Sequence, residues 1–241
     1  MATADQHEGW DEAVVDIVVE FLEAAIHTLL QARRAYPQDI FERRRKYGVP
    51  VWMSRHPELN SYIYQVLIRT KSLMERGVVR KVLVCFFQEA EHVDQVPVEK
   101  FAFDIRVDDG GSVDTICLQA SSFEMPRCIF EIEDQLRSAL LQIQKSSAHL
   151  PMRQSCTFAI HVQAHEEQEA QDRRHAANQE GDPGCSAVRS ALRGGNWLLA
   201  DNDVQGVPVE PGRRQLVPIK SVRGQGLALD LSTEMGDCPF Y

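Results

Sequence analysis

Apolar residues recur at three- and four-residue steps between residues 10 and 34, which is the spacing of one face of an α-helix. Arg33 and Arg34 suit the negative C-terminal end of such a helix. Tyr36 stands before Pro37, and because the residue before a proline is disfavoured in the helical region, the helix ends there. This stretch therefore predicts one long amphipathic helix. Its apolar stripe consists of Val14, Ile17, Val18, Phe21, Leu22, Ala25, Ile26, Leu29 and Leu30.

Two further stretches have helical spacing. Pro57 suits the first turn of a second helix, which Gly77 ends. Residues 129–143 repeat the helical spacing with Ile129, Ile132, Leu136, Ala139, Leu140 and Ile143. The sequence therefore predicts three helices.

Three stretches have the character of β-strands. Residues 79–87 are short, β-branched and aromatic, which indicates a buried strand, and residues 96–107 alternate like a strand with one exposed face. The step from Val98 to Phe101 breaks that alternation, so a bulge or the true start of the strand lies there. These two strands are expected to form a hairpin, and residues 155–162 alternate again. The order is helix, helix, strand, strand, helix, strand.

The character of the sequence changes after His165. Residues 165–186 are polar and nearly free of large apolar side chains, which is typical of a mobile loop. Three short apolar segments follow at 196–200, 215–222 and 227–231, separated by stretches rich in glycine and proline. They are too short for helices, so we expect strands that need a sheet edge supplied by the rest of the chain.

Composition limits the class of protein. The chain has 241 residues, of which 44% are hydrophobic, so it can bury a sizeable core. Its 35 acidic and 26 basic residues give a formal charge of −9, which repels a polyanion at long range. Direct nucleic-acid binding is therefore not expected. The sequence shows neither a signal peptide nor an apolar stretch of roughly 20 residues, so no membrane association and a cytoplasmic or nuclear location are expected.

Six cysteines are scattered through the chain without any C-x-x-C pair, and several lie in apolar runs. This distribution is typical of reduced thiols rather than of a disulfide framework. The cysteines are Cys85, Cys117, Cys128, Cys156, Cys185 and Cys238.

A basic run, Arg43 to Lys46, stands out in this acidic chain. It is either a phosphate-binding patch or the polar border of a surface that binds a protein. Aromatic residues for base stacking are limited to Tyr47 and Trp52, which favours a solvated run. We expect the four cations to form the exposed end of a connection into a turn at 49–51.

Motifs for catalysis or metal binding are missing from the sequence. It contains no P-loop, no nucleophile elbow, no H-E-x-x-H and no paired C-x-x-C, so no catalytic residue and no cofactor are predicted. Residues 201–206 begin like a calcium-binding loop, but the twelfth position is Gly212 rather than glutamate, which favours a plain acidic turn. Alternation places His161 on the polar face of a strand, where a solvated histidine is expected rather than a metal ligand.

Eight blocks of sequence carry a family resemblance: EFLEAAIH (20–27), YPQDIF (36–41), RRKYGVPV (44–51), MSRHPELNSYI (53–63), VEKFAFDI (98–105), CTFAIHV (156–162), WLLAD (197–201) and LVPIK (216–220). They resemble the HORMA-domain accessory subunits of DNA polymerase zeta, also described as mitotic arrest deficient 2-like protein B. The matching blocks run in order from about residue 13 to residue 231. The resemblance thus covers nearly the whole chain.

The resemblance implies an α+β HORMA fold, in which three helices pack on a small antiparallel sheet and a C-terminal safety belt wraps a bound peptide. On this basis we expect a flexible N-terminus (1–9), a HORMA core (10–164), a polar mobile loop (165–195) and a safety belt with a tail (196–241). In the family the peptide is a proline-containing segment of the catalytic subunit of polymerase zeta. The implied function is a non-enzymatic adaptor in translesion synthesis, located in the nucleus and also in the cytoplasm.

Matching motifs carry over site residues from the family. Tyr36 in YPQDIF, Tyr62 in ELNSYI and Trp197 in NWLLAD are implied to contact the peptide. Leu216 and Lys220 in QLVPIK are implied to contact the translesion scaffold, the deoxycytidyl transferase.

The resemblance also bears on other partners and has departures. Arg137 matches a position used for HORMA–HORMA pairing, and an AAA+ remodelling ATPase acts on relatives, which leaves its action on this chain open.

Asp230 and Ser232 replace the Gln and Tyr of the family pattern, so the scaffold contact is open at these positions. The loops at 107–128 and 165–196 look longer than usual.

Two other functions remain alternatives. One is a HORMA-type checkpoint or meiotic regulator that traps a different peptide. The other is a nucleic-acid binder that uses the basic run.

Overall fold

The computed structural model describes residues 12–88, 97–107, 125–150, 156–164, 215–224 and 227–235. Within these ranges the chain forms three helices, a two-stranded sheet and a five-stranded sheet. The predicted α+β architecture of three helices with an antiparallel sheet is confirmed. None of the helices so described combines the length and the hydropathy that a membrane-spanning segment needs.

The helices lie close to the predicted positions. Helix α1 spans Glu12–Ala32, α2 spans Pro57–Met74 and α3 spans Met125–His149. Pro57 occupies the first turn of α2, as expected for a residue that lacks a backbone N–H. Gly77 follows α2 with φ +68°, and the N–H of Val78 donates to the carbonyl of Leu73. This is a Schellman termination, in which glycine accepts the left-handed conformation without a Cβ clash.

A β-hairpin follows α1, and the prediction of a turn at 49–51 is wrong. Strand β1 is Phe41–Lys46, β2 is Val49–Ser54, and the two pair in antiparallel register. Tyr47 and Gly48 both have positive φ, +48° and +73°, which are the angles of a type I′ turn whose twist suits a hairpin. The basic run is therefore a strand, although Arg43, Arg44 and Arg45 are exposed as expected.

The main sheet has the order β5-β3-β4-β7-β6, and each neighbouring pair is antiparallel. Its strands are β3 (Val79–Gln88), β4 (Glu99–Val107), β5 (Cys156–Ala164), β6 (Gln215–Gly224) and β7 (Leu227–Met235). The predicted hairpin of β3 with β4 is confirmed, and the break in alternation near Val98 marks the true start of β4. The segments predicted at 215–222 and 227–231 are confirmed as strands and extend further.

The core lies between the helices and one face of this sheet. Val82, Val84 and Phe86 of β3 alternate inward, and their pattern continues on β4 and β7. The ring of Phe21 on α1 meets that of Phe103 on β4 edge-to-face, with centroids 6.1 Å apart. Since β6 and β7 complete the sheet on the β4 side, the outer strand β5 is left at the opposite edge.

Candidate functional site

Strand β5 forms one edge of the main sheet. Among the described residues its only strand neighbour is β3, so one row of backbone groups faces away from the sheet. An edge strand of this kind presents N–H and C=O groups that another extended segment can pair with. The β5 edge is therefore a ready template for a peptide.

An aromatic cluster lies beside this edge. The ring of Phe158 on β5 is 6.0 Å from that of Tyr36 and 5.7 Å from that of Tyr62, and both pairs are edge-to-face. Tyr62 is 41% exposed, whereas Tyr36 and Phe158 are partly buried. Edge-to-face aromatic contacts fix the ring orientations, so the cluster offers a preformed apolar surface next to the outer backbone edge of β5.

Two different elements place the tyrosines. Tyr36 follows the end of α1, where Arg34 adopts a left-handed φ of 53° and the N–H of Ala35 donates to the carbonyl of Leu30. This is a second Schellman termination, and it turns the chain so that Tyr36 faces β5. Tyr62 lies in the second turn of α2, beside the buried Ile63 of the core. The structure thus brings together two of the three residues that were implied to contact the peptide.

The hydroxyl of Tyr62 touches the edge itself. The backbone N–H of Ile160 on β5 donates to the Tyr62 oxygen over 3.4 Å, which is a long and weak hydrogen bond. An added strand would offer a carbonyl to this same N–H. Burial raises the pKa of both Tyr36 and Tyr62, so both phenols are neutral at physiological pH. The cluster therefore suits an apolar, backbone-pairing ligand rather than a charged one.

Leu216 and Lys220, the implied scaffold residues, both lie on β6 at the other edge of the sheet. Leu216 is 65% exposed and pairs with Glu234, while Lys220 pairs with Leu231. Glu234 and Leu231 are three positions apart, so their side chains and those of their partners lie on opposite faces of the sheet. Leu216 and Lys220 would share a face in a regular strand, but a register shift between Pro218 and Lys220 places them on opposite faces. One partner contacts both residues only by wrapping around the β6 edge.

Asp230, the departure from the family pattern, is held in a network of charges on the outer face of the sheet. Its carboxylate accepts hydrogen bonds from Ser221 at 2.6 Å and from the guanidinium groups of Arg223 and Arg106. Burial opposes ionisation, but the hydrogen bonds from Ser221 and Arg223 outweigh it and lower the pKa of Asp230. Asp230 is therefore an ionised carboxylate that is already engaged within the sheet.

Arg137 lies on the exposed side of α3. It is 52% exposed and forms a long ion pair with Asp134 over 3.8 Å. Phe130 and Leu141 lie on the same side of the helix at helical spacing and are 69% and 44% exposed. The implied pairing residue thus stands in an exposed, partly apolar strip.

The remaining sequence predictions concern the belt, the cysteines and the candidate metal ligands. Trp197, residues 165–195 and the acidic turn at 201–206 lie outside the described residues. Cys85 and Cys156 have free thiols and are buried, and burial raises the pKa of Cys85 to about 11. His161 lies on the sheet face away from the helices, as its alternation indicated, but it is half-buried rather than solvated. In the described ranges no group of three or more His, Cys, Asp or Glu side chains is placed to hold a metal ion.

Two functional contacts were not predicted from the sequence. Phe158 is the shared partner of both tyrosines, and only its inward position was visible in the alternation of CTFAIHV. Gln135 on α3 accepts a hydrogen bond from the N–H of Arg223 over 2.8 Å and donates one to the carbonyl of the same residue. This bidentate contact fixes β6 to α3, and no local pattern signals it.

The three helices and the antiparallel sheet define the class of fold, and the sequence profile of the HORMA domain matches residues 14–174. The chain belongs to the HORMA domain family.

Relatives within that family are named as a spindle assembly checkpoint protein and as polymerase zeta subunits. The human "Mitotic spindle assembly checkpoint protein MAD2B" is 34% identical over 232 residues, covering 95% of this chain and 94% of the human protein. The "DNA polymerase zeta processivity subunit" of Schizosaccharomyces pombe is 31% identical over 163 residues, covering 64% of this chain and 70% of that protein. The resemblance that the sequence blocks indicated is confirmed by these similarities.

Solved structures agree on the fold. A chain in the crystal structure of the Mitotic Checkpoint Complex has a TM-score of 0.63 and 17% identity, and covers 93% of this chain and 99% of that chain. The Caenorhabditis elegans protein HTP-2, bound to the HIM-3 closure motif, has a TM-score of 0.58 and 11% identity, and covers 93% of this chain and 91% of that chain. At these identities the likeness concerns the fold alone.

Proposed function

We propose that this chain is a non-enzymatic adaptor subunit of translesion DNA polymerase zeta. In this proposal a proline-containing segment of the catalytic subunit pairs with the β5 edge and is held there by the C-terminal safety belt. The observation that carries the proposal is the open edge of β5 with its aromatic cluster of Tyr36, Tyr62 and Phe158. The names of relatives as polymerase zeta subunits support the choice of ligand.

Physical chemistry explains why such an edge captures a peptide. Added strand hydrogen bonds satisfy the outward backbone groups of β5, while neighbouring side-chain pockets read the peptide sequence. The bond from Ile160 to Tyr62 is weak enough to be exchanged for a strand bond. Because the aromatic rings are already oriented, little side-chain entropy is lost on binding.

The remaining parts of the proposal rest on the family resemblance. Trp197 would close over the peptide as part of the belt, so Trp197→Ala should weaken peptide binding by about 30- to 1,000-fold and spare the core. Leu216 and Lys220 would contact the translesion scaffold deoxycytidyl transferase. Arg137 would take part in HORMA–HORMA pairing, and an AAA+ ATPase would reopen the belt. A nuclear protein that is also present in the cytoplasm fits these roles.

Peptide titration with two matched tyrosine variants tests the proposed edge. The probe is a synthetic peptide that contains the proline-bearing segment of the catalytic subunit from the same organism, labelled for fluorescence anisotropy. Tyr62→Ala should weaken binding by at least about 30-fold, since it removes an anchor at the centre of the interface. Tyr64 on the same helix is 60% exposed and is absent from the aromatic cluster, so Tyr64→Ala should change binding less than about threefold. Equal effects of the two variants would rule out the β5 edge.

A checkpoint or meiotic regulator that traps another peptide is the second candidate. The checkpoint names of the vertebrate relatives favour it. Purification of this protein with its bound partners from cells after DNA damage, followed by identification of those partners, separates the two candidate functions. Recovery of checkpoint or meiotic partners without the polymerase catalytic subunit would favour the second.

A further inference from the structure

The hairpin of β1 and β2 carries two cations that the described part of the chain does not neutralise. Arg44 forms an ion pair with Glu42, and Lys46 forms one with Glu20 on α1. Neither Arg43 nor Arg45 has a carboxylate within 4 Å among the described residues. The basic run is thus divided into two paired cations and two that remain available.

The two available arginines share one face of the hairpin. Arg43 is directly opposite Trp52 and Arg45 is directly opposite Pro50, and side chains opposite one another in an antiparallel pair point to the same side. The guanidinium carbon of Arg43 lies 5.3 Å from the centre of the Trp52 ring. Trp52 itself packs against the core, so Arg43 rests on a fixed aromatic surface. This contact restricts the guanidinium before any ligand arrives.

The geometry of β1 specifies an extended ligand. Residues two apart in a strand are about 6.7 Å apart, which is also the spacing of alternate side chains in an extended peptide. The outer edge of β2 is already engaged, because Gln144 on α3 donates a hydrogen bond to the carbonyl of Pro50 over 2.8 Å. Within the described residues the outer edge of β1 has no strand neighbour. Both guanidinium groups can donate two hydrogen bonds to one carboxylate, in the bidentate geometry that arginine prefers.

The number of available cations decides between an acidic protein and a nucleic acid. A protein that makes about 6 to 10 phosphate contacts has an affinity that depends steeply on salt, whereas two contacts to a single strand give a salt slope of only about −1.4. The net charge of −9 adds long-range repulsion to a polyanion. A short acidic peptide carries far less charge and adds backbone contacts of its own.

We propose that the face of the β1–β2 hairpin that carries Arg43 and Arg45 docks an extended acidic segment of a partner protein. Carboxylates two residues apart in that segment contact Arg43 and Arg45. The segment lies along the open edge of β1. This surface is separate from the β5 edge, so it adds a second contact to whatever peptide β5 holds.

The test uses the full chain and two double variants with the same change in charge. The probe is a short synthetic peptide with glutamate at every second position, blocked at both ends, labelled, and measured by fluorescence anisotropy at about 50 and 150 mM salt. Arg43→Gln/Arg45→Gln should weaken binding by about tenfold or more. Arg44→Gln/Lys46→Gln should weaken it by less than about threefold, because those cations are already paired.

Two further measurements distinguish specific docking from nonspecific electrostatic attraction, and a third checks that the variants are folded. A peptide of the same composition with its glutamates clustered at one end should bind more weakly than the alternating one. Trp52→Leu should weaken binding of the alternating peptide by about threefold, since Arg43 loses its aromatic support. Thermal melting confirms that every variant is folded.

Several outcomes would overturn the proposal. One is equal weakening by the two double variants, which would indicate general attraction. Another is equal binding of the alternating and clustered peptides, and a third is the absence of binding by the wild-type chain at either salt concentration. A single-stranded oligothymidylate that binds tightly and is lost with Arg43→Gln/Arg45→Gln would assign the surface to nucleic acid instead. Binding of the catalytic-subunit peptide at β5 should stay within a few-fold in both double variants, so this test and that of the β5 edge fail independently.

Discussion

Arg33 and Glu99 form a buried ion pair between the residue that follows α1 and the first residue of β4. The guanidinium Nε lies 2.7 Å from a carboxylate oxygen, and the two side chains are only 3% and 2% exposed. The sequence placed Arg33 at a helix end, where it would interact with the helix dipole, and the structure adds the ion pair with this carboxylate. The pair fixes the start of β4 against α1, and β4 in turn carries the C-terminal hairpin.

Removing one member of this pair should be costly. Glu99→Gln removes the carboxylate charge that lies 2.7 Å from the buried Arg33 guanidinium, which should lower the free energy of unfolding by about 3 to 5 kcal/mol. The double variant Arg33→Met/Glu99→Gln should recover much of this loss, because no buried charge remains. Chemical denaturation of the single and double variants measures both values. A single variant as stable as wild type would show that the ion pair is not needed.

A glycine at Arg34 should stabilise the protein. Arg34 is exposed and adopts φ 53°, a conformation in which a Cβ atom is unfavourable. Arg34→Gly should raise the free energy of unfolding by about 1 kcal/mol, or the melting temperature by about 2–4 °C. The control is Gln65→Gly within α2, which should destabilise by a similar amount. A loss of stability in Arg34→Gly would show that its side chain makes contacts worth more than the strain.

Gln135 should hold the C-terminal hairpin on the helices. Gln135→Ala removes both hydrogen bonds to Arg223, which should cost about 1–2 kcal/mol and speed amide exchange along β6 more than along β3. Gln144→Ala, which removes a bond to Pro50 instead, should leave exchange in β6 unchanged. Uniformly faster exchange in all strands would mean that Gln135 contributes only to global stability.

His27 should make stability depend on pH. It is 1% exposed, and burial lowers its pKa to about 4, well below the value of an unfolded histidine. The unfolded chain therefore binds more protons between about pH 6.5 and pH 4, so stability falls as the pH falls through this window. At pH 4 the titration of His27 should have lowered the free energy of unfolding by about 3 kcal/mol relative to neutral pH.

His27→Gln is the matched variant, because its amide oxygen can still accept the N–H of Ser54 that His27 Nδ1 accepts over 3.4 Å. The difference in unfolding free energy between wild type and variant should shrink or reverse toward acidic pH. Parallel stability curves from pH 7 to pH 4 would show that His27 is not the titrating group.

Local patterns were sufficient for most secondary structure but not for the hairpin of β1 and β2. The stripe of α1, Pro57 at the start of α2 and the alternation of β4 each report on a single element. Strand β1 has no strand pattern of its own, because five of its six residues are polar and the turn uses Tyr47-Gly48 instead of the common asparagine-glycine pair. Its pairing with the apolar strand β2 makes the strand, and no window of β1 alone contains that information.

The sequence by itself determined the three helices, most strands and the family, because these depend on short periodicities and on motifs read in order. Only the tertiary structure decided which strand lies at the open edge and which side chains meet there. Tyr36, Tyr62 and Phe158 come from three elements, and Arg33 and Glu99 lie 66 positions apart. A period-2 pattern states which face of a strand is apolar, but not which neighbour it pairs with. Long-range pairing is fixed by the packing of the whole core, so the candidate site appeared only once the sheet was assembled.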